Sequence, residues 1–272
     1  MNRIQKKFSL CREENRSALI GFFTVGDPTL EDSFEILNAV CDHGIDLLEL
    51  GIPFSDATAD GPIIQRSSRR ALLSGTTLSK IFDLAQRLRE HHPDIPMILF
   101  SYYNPVFVYG PEQFVQDAIR REIDGILSVD LPWDYRNEIV RFVPEKADFD
   151  YITLIAPSTK EERMKKMLSD SSGFLYVQTR SGITGIGGEK DVSRYDHLKE
   201  RSKLIRGTSD LPLCAGFGIS RPDEVSDLSK FCDGIIIGSA FERIIEENRN
   251  DCRRIRSKLT EYLRSLRACL FR

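Results

Sequence analysis

Metal-binding and disulfide-forming residues are scarce in this sequence. Its six cysteines are far apart and never form a C-x-x-C pair, and its four histidines never recur with H-x3-H spacing. These spacings exclude the usual zinc motifs, and the cysteines provide no disulfide framework. We therefore expect no metal site, and we interpret the cysteines as small apolar core residues.

The sequence also lacks an excess of positive charge and a long apolar run. Lys and Arg number 38 against 41 Asp and Glu, a net charge of −3, so no overall basic field attracts nucleic acid or an anionic membrane surface. No run approaches the ~20 apolar residues of a membrane span, and the first residues lack the apolar core of a signal peptide. We expect a cytoplasmic protein that binds neither nucleic acid nor membranes.

Short apolar runs alternate with segments of helical periodicity about eight times along the chain. Each run predicts a buried parallel strand, because a chain reaches a parallel neighbour only by a crossover, here a helix. Thr29, Pro111 and Pro222 mark helix starts between the runs. The predicted strands are residues 17–23, 45–50, 96–102, 125–130, 151–156, 173–179, 211–216 and 234–238.

Eight strand–helix units predict a closed (β/α)8 TIM barrel, in a single α/β domain that spans residues 1–272. An open doubly wound sheet is the alternative, but no G-x-G-x-x-G follows the first strand and no G-x4-G-K-[ST] occurs anywhere. Residues 241–272 carry apolar side chains at helical spacing among many arginines. They predict a C-terminal amphipathic helix that packs on the barrel, with a nucleic-acid or membrane element as the alternative.

Acidic side chains follow two predicted strands at the end where such barrels carry their sites. Glu49 lies between leucines at the end of the second strand, where burial raises the pKa of a carboxyl group. Asp60 follows in the next loop, so the two acids can divide proton donation and acceptance. The alternatives are a salt bridge from Glu49 to an arginine and a helix cap by Asp60. Asp130, after the fourth strand, is a further candidate, again with a helix cap as the alternative.

Glycines follow the last three predicted strands. Gly218 and Gly238 follow the seventh and eighth strands, and Ser239 begins the next helix. A glycine backbone approaches an anion closely, a helix N-terminus attracts it, and these two loops are where this fold tends to hold phosphate. The alternative is that the glycines only form turns. The loop after the sixth strand contains four glycines in residues 180–188 and is long enough for a lid.

The eight predicted strands contain no lysine, which disfavours a Schiff-base aldolase. Together with the scarcity of metal ligands, this favours metal-free acid–base chemistry on a phosphorylated small molecule. Phe22, Phe100, Leu127 and Tyr176 lie in four different strands and can line an apolar cavity. The alternative for each of them is an ordinary place in the core.

Six stretches carry a family resemblance, and they run from the first strand to the eighth. On these stretches the chain resembles the alpha subunit of tryptophan synthase. The resemblance implies a (β/α)8 barrel that cleaves indole-3-glycerol phosphate into indole and glyceraldehyde 3-phosphate, a retro-aldol step of tryptophan biosynthesis without a cofactor. The stretches are F-F-T-V-G-D-P (22–28), L-E-L-G-I-P-F-S-D (48–56), A-D-G-P-I-I-Q (59–65), Y-Y-N-P (102–105), R-S-G-I-T-G (180–185) and G-F-G-I-S (216–220).

The resemblance also implies roles for individual residues. Glu49 is implied to be the acid/base that protonates indole C3 and removes the hydroxyl proton, and Asp60 is implied to hold the indole N–H. Asp56 and Thr184 are implied to latch two mobile loops. The implied substrate-binding residues are Phe22, Leu127, Tyr176, Thr184, Gly185, Phe217, Gly218, Gly238 and Ser239.

A partner is implied as well: a pyridoxal-phosphate-dependent beta subunit in an αββα heterotetramer, with no cofactor in this chain. The sequence departs from the family at Ala57, where proline is common, and we expect the loop carrying Asp56 and Asp60 to be more mobile for that reason. Two other functions remain open. One is a weakly active barrel that binds phosphate ligands and mainly activates its partner allosterically, and the other is a related phosphosugar isomerase.

Overall fold

The structure, a computed structural model, describes residues 1–179 and 195–272. Within these residues nine β-strands form one sheet, and every neighbouring pair of strands is parallel. The strands are β1 (Ala18–Thr24), β2 (Leu47–Gly51), β3 (Met97–Ser101), β4 (Gly125–Ser128), β5 (Asp150–Tyr151), β6 (Thr153–Ile155), β7 (Leu175–Gln178), β8 (Leu213–Gly216) and β9 (Gly234–Ile237).

The sheet closes into a barrel through one short segment. The strand order is β5-β4-β3-β2-β1-β9-β8-β7-β6, and the two end strands, β5 and β6, are separated in the chain only by Ile152. The predicted strand 151–156 therefore serves both neighbours, because its first part pairs with β4 and its second part with β7. The (β/α)8 barrel is confirmed, with its fifth strand divided at Ile152.

The helix starts that we predicted are present. The Thr29 hydroxyl accepts a hydrogen bond from the Asp32 N–H at 3.1 Å, and Pro111 and Pro222 are first residues of helices. The helices are α1 (Arg3–Glu13), α2 (Leu30–Asp42), α3 (Pro62–Leu73), α4 (Leu78–His91), α5 (Tyr103–Tyr109), α6 (Pro111–Arg120), α7 (Asn137–Val140), α8 (Glu161–Ser169), α9 (Asp196–Arg206), α10 (Pro222–Ser229), α11 (Ser239–Asn248) and α12 (Cys252–Arg267), with a 3-10 helix at Trp133–Tyr135.

The core has an outer layer between strands and helices and an inner layer inside the barrel. Helix α1 contributes Ile4, Phe8 and Cys11 to the inner layer, and the Phe8 ring lies 5.9 Å from the ring of Phe174. Because α1 leads directly into the start of β1, it covers the amino end of the barrel. The carboxyl ends of the strands are left for a ligand site.

The single amphipathic helix that we predicted over residues 241–272 is divided in the structure: most of α11 comes first, and α12 follows and packs against α2 and α11. It begins at Cys252 because Asp251 caps it: the Asp251 carboxylate accepts a hydrogen bond from the Arg254 N–H at 3.0 Å. Its apolar side chains at positions 255, 259, 263 and 266 are buried. Among residues 1–179 and 195–272, no helix has both the length and the apolar character to cross a membrane.

All six cysteines are free thiols, and four of them are buried, as expected for apolar core residues. Burial raises the pKa of Cys41 to about 12. Across the described part of the chain, His, Cys, Asp and Glu side chains form no group of three that could hold a metal ion.

Candidate active site

Glu49 is fully buried in the middle of β2, with Phe22 of β1 and Ile98 of β3 beside it in register. Neither of its carboxyl oxygens has a hydrogen-bond partner among the described residues, so the alternative of a salt bridge to an arginine receives no support there. Burial raises the pKa of Glu49 to about 8. At neutral pH this side chain is therefore mainly a neutral acid with a proton to donate.

Asp60 lies in the loop between β2 and α3, and its side chain is buried. The Tyr102 hydroxyl donates a hydrogen bond to Asp60 Oδ2 at 3.0 Å and accepts one from the Ala59 N–H at 2.9 Å. Burial raises the pKa of Asp60 to about 6, and the hydrogen bond from Tyr102 opposes that rise. Asp60 is not the capping residue of α3, because that position is occupied by Gly61.

Both carboxyl groups face one cavity at the carboxyl ends of the strands. It has a volume of about 460 Å³ including its mouth. Burial, with the nearby charges of Glu49 and Asp60 adding to it, raises the pKa of Tyr176, which lies in the same wall. The lining residues are Phe22, Glu49, Asp60, Ile64, Phe100, Tyr176, Phe217, Gly218, Ile219, Ile236, Gly238 and Ser239.

Aromatic rings form two walls of the cavity. The rings of Phe22 and Phe100 meet edge to face at 5.0 Å, and those of Tyr176 and Phe217 at 6.1 Å. A Cβ on Gly216 would lie 2.2 Å from the Tyr176 hydroxyl oxygen, so only glycine leaves room for this ring. The chamber is therefore shaped for a flat apolar group, with acids at its edge.

Another part of the cavity rim contains backbone of the loops after β8 and β9. Phe217 and Gly218 have φ values of 81° and 74°, and Gly238 and Ser239 stand at the N-terminus of α11. The first N–H groups of a helix have no partner within it and attract an anion. Gly218, Gly238 and Ser239 all line the cavity, and their role in holding phosphate stays a prediction, whereas Gly185 lies outside the described residues.

Leu127 differs from its expected position. It is fully buried in the inner layer, beside Phe100 in register, and is not among the residues that line the cavity. Phe100, which we expected to line the cavity, does so, together with three isoleucines that we did not single out from the sequence: Ile64, Ile219 and Ile236. Isoleucines at such positions carry no signal in the sequence that separates them from ordinary core residues.

Of the two residues of the implied loop latch, only Asp56 lies among the described residues. Asp56 is exposed, and its carboxylate accepts a hydrogen bond from the Ser55 hydroxyl at 2.5 Å. Thr184 lies outside the described residues, so the latch stays a prediction. Ala57 is buried, and its carbonyl accepts hydrogen bonds from the Asp60 N–H at 3.2 Å and from Gln65 Nε2 at 3.3 Å.

Asp130 has a capping role, but at a different helix from the one we considered. Its carboxylate accepts a hydrogen bond from the N–H of Tyr103, the first residue of α5, at 2.7 Å. Asp130 is not among the residues that line the cavity. The neighbouring Tyr102 is a site residue that we missed, and its only sequence signal is its place directly after a strand, in the Y-Y-N-P stretch.

A (β/α)8 barrel whose apolar cavity holds two buried carboxyl groups at the carboxyl ends of the strands defines a barrel enzyme of the acid–base type. Comparison with known proteins narrows this class. The family model described as "Tryptophan synthase alpha chain" matches residues 8–270. The chain belongs to this family, whose members are lyases that act on indole-3-glycerol phosphate.

Individual relatives agree with the family model. The chain is 44% identical over 268 residues to the tryptophan synthase alpha chain of Desulfatibacillum aliphaticivorans, covering 98% of each chain. The crystal structure of the tryptophan synthase alpha chain from Legionella pneumophila is similar to it with a TM-score of 0.85 and 30% identity, covering 98% of each chain. A structure of Mycobacterium tuberculosis tryptophan synthase is similar with a TM-score of 0.86 and 28% identity, again covering 98% of each.

Proposed function

We propose that Glu49 and Asp60 carry out the cleavage of indole-3-glycerol phosphate in this chain. One observation carries the proposal: two buried carboxyl groups with differently raised pKa values face the same apolar cavity. With pKa values of about 8 and about 6, Glu49 is mainly protonated and Asp60 mainly ionised at neutral pH. The cavity therefore offers a proton donor and an anion at the same time.

Glu49 gives one proton to the substrate and takes one back during the reaction, so no proton is gained or lost by the enzyme. Indole leaves from an aromatic carbon only after that carbon, C3, is protonated, and neutral Glu49 supplies this proton. The positive charge that develops on the ring reaches the indole nitrogen, where the Asp60 carboxylate accepts the N–H hydrogen bond. As the carbon–carbon bond breaks, the Glu49 carboxylate takes the hydroxyl proton of the departing carbon, which becomes the aldehyde. Glu49 ends the cycle protonated, and the chemistry requires no cofactor in this chain.

The remaining site residues hold the two ends of the substrate. The aromatic walls of the cavity take the indole ring, and the backbone rim takes the phosphate. Leu127 lies beside Phe100 on the neighbouring strand and supports that wall without lining the cavity. Thr184 and Gly185 complete this binding, and Thr184 and Asp56 latch the loops. The direct contacts are assigned to Phe22, Tyr176, Phe217, Gly218, Gly238 and Ser239.

We further propose that the chain works in the cytoplasm with a pyridoxal-phosphate-dependent beta subunit, in an αββα heterotetramer. Helix α5 follows β3 at the cavity end of the barrel and exposes 63% of Phe107 and 76% of Val108. Neighbouring large apolar side chains exposed beside a cavity favour contact with another protein. On this proposal, indole passes to the partner, which joins it to serine.

Release of indole from indole-3-glycerol phosphate tests the proposed function. The purified chain is assayed alone and with the beta subunit. We expect cleavage by the chain alone and faster cleavage in the complex. If no indole appears in either condition while the beta subunit is activated, the chain is mainly an allosteric activator. Turnover of an aminoaldose phosphate without indole release would instead favour the phosphosugar isomerase.

A further inference from the structure

A second pair of buried acids lies outside the cavity. Asp27 follows β1 and Glu242 belongs to the first turns of α11, and both side chains are almost completely withdrawn from solvent. Burial of a carboxyl group normally demands a cation or several hydrogen-bond donors as compensation. The two acids differ in the hydrogen-bond donors and cations that contact them.

Asp27 is well compensated. Arg70 of α3 donates to Asp27 Oδ1 through Nε at 2.8 Å and to Oδ2 through Nη2 at 2.7 Å, a bidentate pair. Such a pair stabilises the ionised carboxylate. Burial raises the pKa of Asp27 and the Arg70 pair opposes that rise, so Asp27 is the more readily ionised of the two acids.

Glu242 has fewer hydrogen-bond donors around it than Asp27 has. Its Oε1 accepts a hydrogen bond from the Thr24 N–H at 2.7 Å, and its Oε2 has no hydrogen-bond donor among the described residues. Its side chain instead faces the Asp27 carboxylate. Two carboxylates cannot bond to one another, but a protonated Glu242 can donate from Oε2 to Asp27. Burial, with the Asp27 charge adding to it, raises the pKa of Glu242.

A count of the charges around the pair leads to the same result. Arg70 also donates to Glu246 through Nη1 at 2.6 Å, and Arg66 forms a bidentate pair with Glu246, both distances being 2.7 Å. Two arginines thus stand against three carboxyl groups in this network. Glu242 is the one of these three carboxyl groups that bonds to neither arginine, so a negative charge on it would be the least compensated.

We propose that Glu242 is a positioning residue for the phosphate site and acts in its protonated form, bridging Asp27 to the end of β1. This inference rests on the proposed function, since it takes the N-terminus of α11 as the phosphate site. The Glu242 N–H donates to the Gly238 carbonyl at 3.1 Å, and its side chain joins that same turn to Thr24. Because Glu242 is neutral in this form, it adds no negative charge near the bound phosphate beyond those of Asp27 and Glu246.

A pH dependence follows. Loss of the proton at alkaline pH breaks the hydrogen bond to Asp27 and adds a buried negative charge about one turn of helix from the phosphate. The phosphate monoester is already a dianion above neutral pH, so its own titration does not contribute. Phosphate affinity should therefore fall as the pH rises, by about tenfold if proton and phosphate are coupled as strongly as typical linked sites.

Calorimetric titration of the full chain with glycerol 3-phosphate, from neutral to alkaline pH, tests the inference. We expect the affinity of the wild-type chain to fall with pH more steeply than that of Glu242→Gln, because the amide donates to Asp27 without a proton to lose and the variant keeps only the change that ionisation of Glu49 in the cavity causes in both chains. Glu247→Gln, which removes an exposed carboxylate from the same helix, should follow the wild type. An equal fall in Glu242→Gln, or no fall in the wild type, overturns the proposal.

Two further measurements separate this inference from the proposed function. A wild-type chain that does not bind glycerol 3-phosphate at any pH rejects the phosphate site itself, and the inference with it. Infrared difference spectra of wild type against Glu242→Gln do not depend on phosphate, and we expect the variant to lose the C=O stretch of a neutral carboxyl group. If that band is unchanged, Glu242 is ionised and the inference is wrong, whatever the phosphate site does.

Discussion

Two of the pairs that buried acids form in the described residues, Glu49 with Asp60 and Asp27 with Glu242, differ in what surrounds them. Glu49 and Asp60 face an apolar cavity, where Asp60 has one hydroxyl donor and Glu49 has no hydrogen-bond partner among the described residues. Asp27 and Glu242 are enclosed by protein, where Asp27 pairs with Arg70 of α3 and Glu242 accepts a hydrogen bond from the Thr24 N–H.

Burial alone therefore does not identify a catalytic acid. Desolvation raises the pKa of Glu49 and of Glu242 alike, because both are completely buried. What separates the pairs is access: a ligand can reach Glu49 through the cavity, whereas Glu242 meets only the protein. The cavity pair, Glu49 and Asp60, is therefore suited to proton transfer. The enclosed pair, Asp27 and Glu242, is suited to holding β1, α3 and α11 in place.

The largest expected effect on activity comes from replacing Glu49, the proton donor of the cavity pair. Glu49→Gln keeps the shape of the side chain but cannot transfer a proton, so we expect the kcat for indole release to fall about 10³-fold. Glycerol 3-phosphate affinity and thermal unfolding should stay close to wild type. Cleavage within tenfold of wild type would remove Glu49 from its proposed role and leave the two pairs indistinguishable.

The next effect concerns stability and belongs to the enclosed pair. Arg70→Gln leaves the Asp27 carboxylate without its bidentate partner, and we expect the free energy of unfolding to fall by about 3 kcal/mol in urea titrations at neutral pH. The neighbouring Arg69 is exposed, so Arg69→Gln is the matched control and should change little. Equal stability of the two variants would show that the network does not stabilise the fold.

The pH profile of kcat/KM sharpens the comparison further. Activity requires ionised Asp60 and protonated Glu49, so it should decline below about pH 6 and above about pH 8, by about tenfold per pH unit on each side. Profiles of initial rates at low substrate concentration measure this. A profile that stays flat through both regions contradicts the assignment of the two acids.

The smallest expected effect comes from Tyr102. Its hydroxyl stabilises the Asp60 carboxylate, so Tyr102→Phe should move the acidic limb of the profile to higher pH and reduce activity near pH 6 by about threefold. Tyr135→Phe, at an exposed tyrosine, is the control. An unmoved acidic limb would mean that the hydrogen bond does not set the pKa of Asp60.

Much of the fold was predictable because its signals are local. Apolar runs, the cap at Thr29 and the prolines at 111 and 222 predicted the elements, and alternation predicted their parallel order. The division of the fifth strand was not predictable, because a run of six residues does not reveal that its two halves pair with different neighbours.

Some residues of the candidate site could be singled out from the sequence, and others could not. Glu49 stood out because a charged residue amid leucines is rare, and the glycines at 218 and 238 stood out by their place after strands. Leu127 and Phe100 are equally apolar strand residues, and only the packing decided that Phe100 lines the cavity. Tyr102 was missed because its role depends on a contact with Asp60, forty-two positions away in the chain.

The sequence by itself determined the order of strands and helices and which end of the barrel carries acids and glycines, because these follow from periodicity and from positions at strand ends. Only the tertiary structure decided that Glu49 and Asp60 line the same cavity and that Asp27 and Glu242 lie close enough to share a proton. Thr24 and Glu242 are 218 positions apart, yet barrel closure brings β1 and α11 into contact. A pKa depends on such neighbours in space, and the free energy of charging a buried group is set only once the chain has folded around it.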